Sequence, residues 1–205
     1  DRSDSVSAMK EALVAAGIDP KQFPPSKILA IVSKRKGDFV TLAEYRDQAR
    51  TYFEKIVAAA WERYEAVLVR EQSLDFDDLL LRAARLLRDN PAVLAAYRER
   101  FQYLHVDEYQ DTNPLQLEIT KLLVGPEKNI CVVGDDDQAI YSFRGADLEN
   151  ILSFDTMFRN TDGTPCKVVK LEENYRSTAL IINAANAVIQ KNKTRRDKTL
   201  RSMLG

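Results

Sequence analysis

The sequence is poor in cysteine, histidine and glycine, and it has no long apolar run. Its two cysteines, Cys131 and Cys166, lie far apart without metal-ligand spacing, and no signal peptide is recognisable, which favours a reduced, cytoplasmic setting. The single histidine, His105, lies in an apolar stretch and is given no ligand role. Because the apolar runs are much shorter than a membrane span, we expect no membrane contact.

Neither sign of charge dominates, because 30 lysines and arginines stand against 31 aspartates and glutamates among 205 residues. No global positive field therefore attracts nucleic acid, and any such binding must use a local patch. The hydrophobic fraction of 45% and the charged fraction of 30% are typical of a soluble globular protein with one large or two small domains.

Residues 1–73 have apolar side chains at helical spacing and are predicted to form an all-helical unit. One long helix is expected from Thr41 to Gln72, with Thr41 and Glu44 as a capping box. The other predicted boundary residues are Gly17, Ser26 and Gly37, followed by Asn90 and Pro91 after an amphipathic helix over 75–90.

Two basic segments have simple explanations that do not involve DNA. Lys34, Arg35 and Lys36 end a predicted helix, where cations complement the helix dipole. The basic tail is expected to be a solvated end rather than a DNA-binding arm; its cations are Lys191, Lys193, Arg195, Arg196, Lys198 and Arg201.

From about residue 101, short β-branched runs alternate with helical patterns, which predicts an α/β fold with buried parallel strands. The predicted strands cover 103–106, 130–133 and 167–171. Helices are expected from Asn113 and Pro114, near Asp147, and after a cap at Ser177.

Three polar strings follow the predicted strands. The first, Val106 to Asn113, places Asp107 and Glu108 where ligands of parallel sheets bind, although an acidic helix cap would look similar. In a nucleoside triphosphatase the first acid holds Mg²⁺ and the second polarises the attacking water. The acid pair alone is weak evidence for such chemistry, and the full eight-residue string is much stronger evidence.

The second string, Val133 to Ala146, follows the next strand and carries Gln138, Tyr141 and Phe143. A glutamine there can bind a γ-phosphate or its attacking water, and aromatics can stack on unpaired bases. Core packing of the two aromatics is the simpler alternative. The third string, Leu171 to Thr178, carries a Tyr-Arg pair that can meet a purine and a phosphate, or lie in a plain surface loop.

In this order and spacing, the three strings resemble the UvrD/Rep/PcrA family of superfamily 1 DNA helicases. The resemblance covers most of the chain, since DFDDLLLRAARLL precedes the acid string as in that family. It implies RecA-like (P-loop NTPase) parallel-sheet domains, with ATP between two of them and single-stranded DNA running across both. It also implies 3′ to 5′ unwinding of duplex DNA in DNA repair or replication restart.

The resemblance further implies an organisation and a set of roles. Residues 1–73 would be a 1B-like helical subdomain, 74–172 a partial motor domain 1A, and 173–205 the start of motor domain 2A. For the metal, the resemblance implies that Asp107 binds Mg²⁺, that Glu108 also lies at the metal and acts as the catalytic base, and that Gln110 lies behind these two acids. For the nucleotide, it implies that Gln138 contacts the γ-phosphate, that Tyr175 stacks on adenine and that Arg176 acts as an arginine finger. For DNA, they are Tyr141, Phe143 and Arg144.

Some of the family pattern is missing. Phe143 stands where tryptophan is frequent, Ser142 stands where arginine is frequent, and no Gly-Lys-Ser or Gly-Lys-Thr occurs among the 7 glycines. The chain thus resembles an internal piece without the phosphate-binding loop, and alone it is expected to be inactive. The strand before Asp107 should then expose an edge, and the isolated chain is expected to aggregate, to dimerise through that edge or to rearrange to cover it.

Two alternatives remain open at this point. One is a degenerate, non-hydrolysing DNA-binding or scaffold module, against which the joint presence of Asp107, Glu108, Gln138 and Arg176 argues. The other is a subunit of a helicase-nuclease, which a nuclease domain downstream would reveal.

Overall fold

The computed structural model describes residues 1–142 and 145–204, which fall into two compact units. Unit 1 comprises Asp1–Phe101 and Asn113–Leu123, and unit 2 comprises Gln102–Thr112 and Val124–Gly205. Unit 1 contains helices α1 (Arg2–Ala15), α2 (Pro25–Gly37), α3 (Leu42–Gln48), α4 (Tyr52–Arg70), α5 (Phe76–Asp89), α6 (Pro91–Arg100) and α7 (Pro114–Leu123). Unit 2 contains strands β1 (Leu104–Val106), β2 (Ile130–Val132), β3 (Glu173–Thr178) and β4 (Arg201–Leu204), with helices α8 (Glu149–Leu152), α9 (Phe154–Met157) and α10 (Ala179–Ile189).

Unit 1 is built around a core between α1, α2 and α4. The core buries Trp61 and Tyr64 of α4 against Met9 and Leu13 of α1 and Val32 of α2. These side chains recur at helical spacing, so each helix presents one apolar stripe to the other two. Within the described residues, no helix is both long enough and apolar enough to cross a lipid bilayer.

Helix boundaries in unit 1 follow side-chain caps. The predicted capping box is confirmed, because Thr41 Oγ1 accepts the Glu44 N–H at 3.1 Å and Glu44 accepts the Thr41 N–H at 2.7 Å. The single helix predicted from Thr41 to Gln72 is wrong, because Thr51 and Glu54 form a second capping box. The chain therefore leaves helical geometry at Ala49 and restarts at Tyr52.

Two other predicted boundaries have opposite outcomes. Gly17 is confirmed as a helix stop: it has φ +70°, and the N–H groups of Gly17 and Ile18 donate to carbonyls of α1 in a Schellman pattern. The predicted cap Ser26 is wrong, because Pro24 precedes α2 and Pro25 is its first residue. Proline suits that position since its missing N–H would have no helical partner.

Lys36 differs from the sequence interpretation. It is 1% exposed, and its ammonium lies 2.8 Å from Glu65, 2.9 Å from Asp75 and 2.7 Å from Asp78. Burial alone would lower the pKa of Lys36, but these carboxylates raise it above its ordinary range. Lys36 is thus a buried ion-pair residue that joins α2 to α5, and helix-dipole compensation does not explain it.

The amphipathic helix α5 links two parts of unit 1. Asp75 and Asp78 form its capping box, and Leu81 and Ala84 pack on Leu115 of α7. Asn90 and Pro91 begin α6 as predicted, although the Asn90 side chain donates back to the Leu86 carbonyl instead of capping α6. The predicted helix start at Asn113 is confirmed, because Asn113 Oδ1 accepts the Gln116 N–H at 2.8 Å and Gln116 Oε1 accepts the Asn113 N–H at 3.0 Å.

Unit 2 contains two small parallel sheets. β1 pairs with β2 in the register Leu104 to Ile130 and Val106 to Val132, so two of the predicted strands are confirmed as parallel neighbours. The prediction that these strands are buried is wrong, because the residues of β1 and β2 are half-buried or exposed. The structure therefore shows a mixed helix and strand fold with small parallel sheets, and the more specific RecA-like domain stays a prediction.

The third predicted strand, 167–171, is wrong. The strand lies instead at β3, Glu173–Thr178, where it pairs in parallel with β4. Val168, Val169 and Leu171 are more than half exposed, so the apolar run before β3 is not the paired segment. The partner β4 lies in the tail, where local patterns gave no strand signal.

The segment after β3 also departs from expectation. Thr178 precedes α10 and makes no side-chain cap, whereas Ser177 belongs to the strand, so the predicted Ser177 cap is wrong. The tail is not a solvated end. Arg195, Arg196 and Lys198 make partly buried contacts, and Arg201 begins β4.

Candidate functional site

The loop after β1 presents two exposed acids, Asp107 and Glu108. Glu108 has φ 48° and ψ 43°, a left-handed conformation that is unfavourable for a residue with a Cβ. Asp107 Oδ1 accepts the Glu108 N–H at 2.9 Å, which helps to hold that turn. Backbone strain of this kind, about 1–3 kcal/mol, concentrates at functional sites.

Gln110 lies beneath the acids and is 1% exposed. Its Nε2 donates to Glu108 Oε2 at 2.9 Å, and its Oε1 accepts the N–H of Asp135 at 2.9 Å. Asp135 follows β2, the parallel neighbour of β1. One buried amide therefore joins the acid loop to the loop that carries Gln138.

Gly134 makes this close approach possible. A Cβ built on Gly134 would lie 2.7 Å from Gln110 Oε1, 2.7 Å from Ile151 Cδ1 and 3.2 Å from the Tyr109 backbone N. These separations are shorter than van der Waals contact, so a side chain at this position would displace Gln110 or α8. The residue needs to be glycine because of space and not because of its backbone angles.

The loop after Gly134 orients Gln138. Gln138 Nε2 donates to Asp135 Oδ2 at 2.8 Å, while the side chain of Gln138 stays exposed. A continuous chain of hydrogen bonds therefore runs from Glu108 through Gln110 and Asp135 to Gln138. Its two ends face solvent and its middle is buried, which suits a ligand site held in place by the fold.

Three aspartates of this loop bind the cationic tail. Lys198 Nζ lies 2.5 Å from Asp135, 2.9 Å from Asp136 and 3.1 Å from Asp137. Arg195 adds a two-pronged contact to Asp137 at 2.8 and 2.9 Å, and this guanidinium lowers the pKa of the Asp137 carboxyl. The carboxylate oxygens lie within 4.8 Å of one another, a spacing that could hold a metal, and the ammonium of Lys198 lies among them. Sequence reasoning missed this cluster, although consecutive acids and a basic tail were both visible.

Tyr175 and Arg176 lie on the exposed part of β3, beside β4. Tyr175 is 68% exposed, and its hydroxyl donates to Glu173 at 2.5 Å, which raises the pKa of Tyr175. Among the described residues, no hydrogen bond or ion pair joins Arg176 to Glu108 or Gln138. The described residues connect β3, which carries this pair, to the glutamine loop through the tail, in which β4 pairs with β3 and Lys198 contacts Asp135.

The predicted DNA contacts are only partly visible. Tyr141 is half-buried at the end of the glutamine loop. Phe143 and Arg144 lie outside the described residues.

The acid loop fits a hard divalent cation. Asp107 and Glu108 are exposed, and in the described part of the chain each keeps one carboxylate oxygen without a hydrogen-bond partner. Mg²⁺ is typically bound by one or two carboxylates, with water and substrate phosphates completing the shell. The donors present therefore match Mg²⁺ bound together with a nucleotide.

Comparisons with known proteins agree with the motifs. The model of the UvrD/REP helicase N-terminal domain matches residues 1–159. The chain is 44% identical over 200 residues to the ATP-dependent DNA helicase PcrA of Staphylococcus aureus (strain Mu50), covering 98% of this chain and 27% of that protein. It is 43% identical to the protein of the same name from Bacillus subtilis (strain 168), covering 98% of this chain and 26% of the relative.

The chain thus spans about a quarter of the length of the curated relatives it matches. The family model alone covers well over half of the chain, including the acid loop with Glu108 and the glutamine loop with Gln138. This chain belongs to the UvrD/REP helicase family.

Proposed function

We propose that this chain is part of an ATP-dependent DNA helicase that couples Mg²⁺-ATP hydrolysis to 3′ to 5′ movement on single-stranded DNA and unwinds duplex DNA. The observation that carries the proposal is the hydrogen-bond chain between Glu108 and Gln138. These hydrogen bonds connect two carboxylates that can bind a metal to an amide that can bind a phosphate. The two loops that carry these groups follow parallel neighbouring strands. The proposal includes a role of the helicase in DNA repair or replication restart.

The nucleotide roles follow from the chemistry of each side chain. Asp107 and Glu108 would hold Mg²⁺, and Glu108 would take the proton of the attacking water. When bound, Mg²⁺ neutralises charge that develops on the transferred phosphoryl group. Gln138 donates to the γ-phosphate or to the attacking water, and Gln110 fixes the position of Glu108 from behind.

Adenine, the transferred phosphoryl group and DNA engage other residues. The exposed ring of Tyr175 stacks on adenine, and Arg176 stabilises the transferred phosphoryl group as an arginine finger. Tyr141, Phe143 and Arg144 contact single-stranded DNA by stacking and by charge. These assignments presuppose a movement of β3 relative to the acid loop during turnover, because among the described residues no hydrogen bond or ion pair joins Arg176 to Asp107 or Glu108.

The subdomain organisation belongs to the same proposal. Residues 1–73 correspond to a 1B-like helical subdomain, 74–172 to part of a RecA-like motor domain 1A, and 173–205 to the start of motor domain 2A. The parallel pairing of β1 with β2 and the helical packing of α1, α2 and α4 support this organisation.

The test compares Glu108→Gln with Glu127→Gln in the full-length protein encoded by the gene that holds this sequence. Glu127 is exposed and lies away from the acid loop, so it controls for the loss of one surface charge. We expect Glu108→Gln to lower kcat for ATP by about 10²- to 10⁴-fold, the usual contribution of a general base. Binding of single-stranded DNA should persist, and unwinding of duplexes with a 3′ tail should stop.

Other outcomes assign a different function. DNA binding by the unmodified protein without ATP turnover would indicate a non-hydrolysing binding or scaffold module. Cleavage of DNA coupled to unwinding would indicate a helicase-nuclease subunit. Turnover that Glu108→Gln leaves unchanged would refute the role of Glu108.

The 205-residue chain itself should hydrolyse ATP negligibly. It contains no Gly-Lys-Ser or Gly-Lys-Thr, so no lysine and nested amides of that kind bind the β- and γ-phosphates. Asp107 and Glu108 supply at most two carboxylates to a metal that retains most of its waters. Clear turnover by the purified chain that Glu108→Gln abolishes would contradict this expectation.

Self-association through strand edges is a further part of the proposal. In the described residues each sheet has two strands, so β1 has one edge without a strand partner. Tyr103 beside it is 71% exposed and Val133 beside β2 is 54% exposed. Exposed apolar edges of this kind recruit other strands. Light scattering of the chain at high concentration should show dimers or larger species, and a uniform monomer would refute this.

A further inference from the structure

We propose that Lys198 is a positioning residue for Gln138, acting through the carboxylate of Asp135. The inference deepens the proposed function and rests on it, because it concerns how Gln138 is held for its contact with the nucleotide. In this arrangement the tail couples the glutamine loop to the strand that carries Tyr175 and Arg176.

The carboxylate of Asp135 bridges the lysine and the glutamine. Its Oδ1 accepts from Lys198 Nζ at 2.5 Å, and its Oδ2 accepts from Gln138 Nε2 at 2.8 Å. The backbone N–H of the same aspartate donates to Gln110. Asp135 Oδ1 also accepts the N–H of Asp137 at 2.9 Å. Of these partners of Asp135, Lys198 is the most distant in sequence, at 63 positions.

Lys198 also offsets repulsion within the loop. Asp135, Asp136 and Asp137 are consecutive, and the ammonium lies within 3.1 Å of an oxygen of each. Burial alone would lower the pKa of Lys198, but hydrogen bonds to the three aspartates raise it above its ordinary range. The lysine therefore remains charged at neutral pH, and its loss would leave more of the repulsion among the three carboxylates uncompensated, although Arg195 would still pair with Asp137.

Lys198 is joined to β3 through the residues that follow it. The N–H of Thr199 donates to Glu172 Oε1 at 2.8 Å, and the N–H of Arg201 donates to the Glu172 carbonyl at 2.7 Å. β4 then pairs with β3 in the register Glu173 to Arg201. A displacement of β3 is thus transmitted to Asp135 through a short, hydrogen-bonded segment.

The experiment compares three variants of the full-length protein encoded by the gene that holds this sequence. Lys198→Met removes the charge and keeps the length of the side chain, Lys198→Arg keeps the charge, and Lys193→Met removes one exposed tail charge as the matched control. Backbone amide exchange is measured over 135–139 by mass spectrometry, and kcat and KM for ATP are measured with single-stranded DNA present.

We expect Lys198→Met to speed amide exchange over 135–139 by on the order of tenfold, the factor for losing one charge-assisted hydrogen bond. The kcat should fall by a similar factor, while KM for ATP changes by less than about twofold, because Gln138 acts on the transition state more than on the bound ground state. Lys193→Met should match the unmodified protein, and Lys198→Arg should recover most of both quantities.

Each remaining outcome is decisive. Exchange in Lys198→Met equal to that in Lys193→Met overturns the inference, whether or not the protein is active. Faster exchange with unchanged kcat also overturns it, since the contact would then serve stability alone. Faster exchange in a protein that never hydrolyses ATP would confirm that Lys198 orders the loop and would refute the proposed function instead.

Discussion

Replacing Gly134 with alanine tests how tightly the two loops are packed. The added Cβ would lie 2.7 Å from both Gln110 Oε1 and Ile151 Cδ1. Non-bonded heavy atoms prefer a separation of about 3.5–4.0 Å, so each contact is short by roughly 1 Å. Gln110 cannot retreat without cost, because it is 1% exposed and its amide is hydrogen-bonded at both ends.

The magnitude follows from these contacts. Overpacking of a filled interior costs about 1–3 kcal/mol. Breaking one buried hydrogen bond of Gln110 costs about 1–3 kcal/mol more, and partial relaxation keeps the sum near about 2–4 kcal/mol. Gly125→Ala is the control, because nothing lies within 4 Å of a Cβ built on Gly125. It should change the free energy of unfolding by less than about 0.5 kcal/mol.

The assay is urea unfolding of the unmodified chain and the two alanine variants. Ile151→Val removes the Cδ1 atom that the new Cβ would meet, so Gly134→Ala should cost less in that background. ATP turnover of the full-length protein should fall in parallel, because Gln110 holds Glu108. Equal stability of Gly134→Ala and Gly125→Ala would refute the close approach of these loops.

Three further perturbations test other parts of the chain. Lys36→Met should lower the free energy of unfolding by about 3–5 kcal/mol in urea titrations, because it strands buried carboxylates, whereas Lys34→Met at an exposed site should change little. Thr51→Ala should cost about 1 kcal/mol by removing the cap of α4, measured in the same titration. The ion pair between Arg195 and Asp137 should persist as the pH falls to 3.8, the ordinary pKa of aspartate, and should be lost only below that pH, because Arg195 lowers the pKa of Asp137. Backbone amide exchange of the tail, measured across this pH range, tests this expectation.

Local signals predicted a good part of the fold. The Thr41 capping box, the Gly17 stop and the helix start at Asn113 depend on contacts within a few residues, and each is present. The strands that precede Asp107 and Gly134 were also predicted, since β-branched runs of that length favour extended structure. The order of the polar strings after those strands pointed to the acid and glutamine loops as a candidate site.

Contacts that are distant in sequence could not be predicted. Lys36 meets Asp75 from 39 positions away, so its burial has no local signature. The strand at Glu173–Thr178 depends on pairing with Arg201–Leu204, and its polar composition hid it behind the apolar run 167–171. The link between Asp135 and Lys198, 63 positions apart, is of the same kind.

The identity of residue 110 follows from the groups on either side of it. The Glu108 carboxylate needs a donor and the Asp135 N–H needs an acceptor, and glutamine supplies both from one neutral side chain. A glutamate at 110 would place a second negative charge against Glu108, and an aliphatic residue would leave the buried Asp135 N–H without its partner. The same two hydrogen bonds that stabilise the loops therefore set the direction of the Glu108 carboxylate. The stability of the two loops and the orientation of the Glu108 carboxylate therefore cannot be changed separately through residue 110.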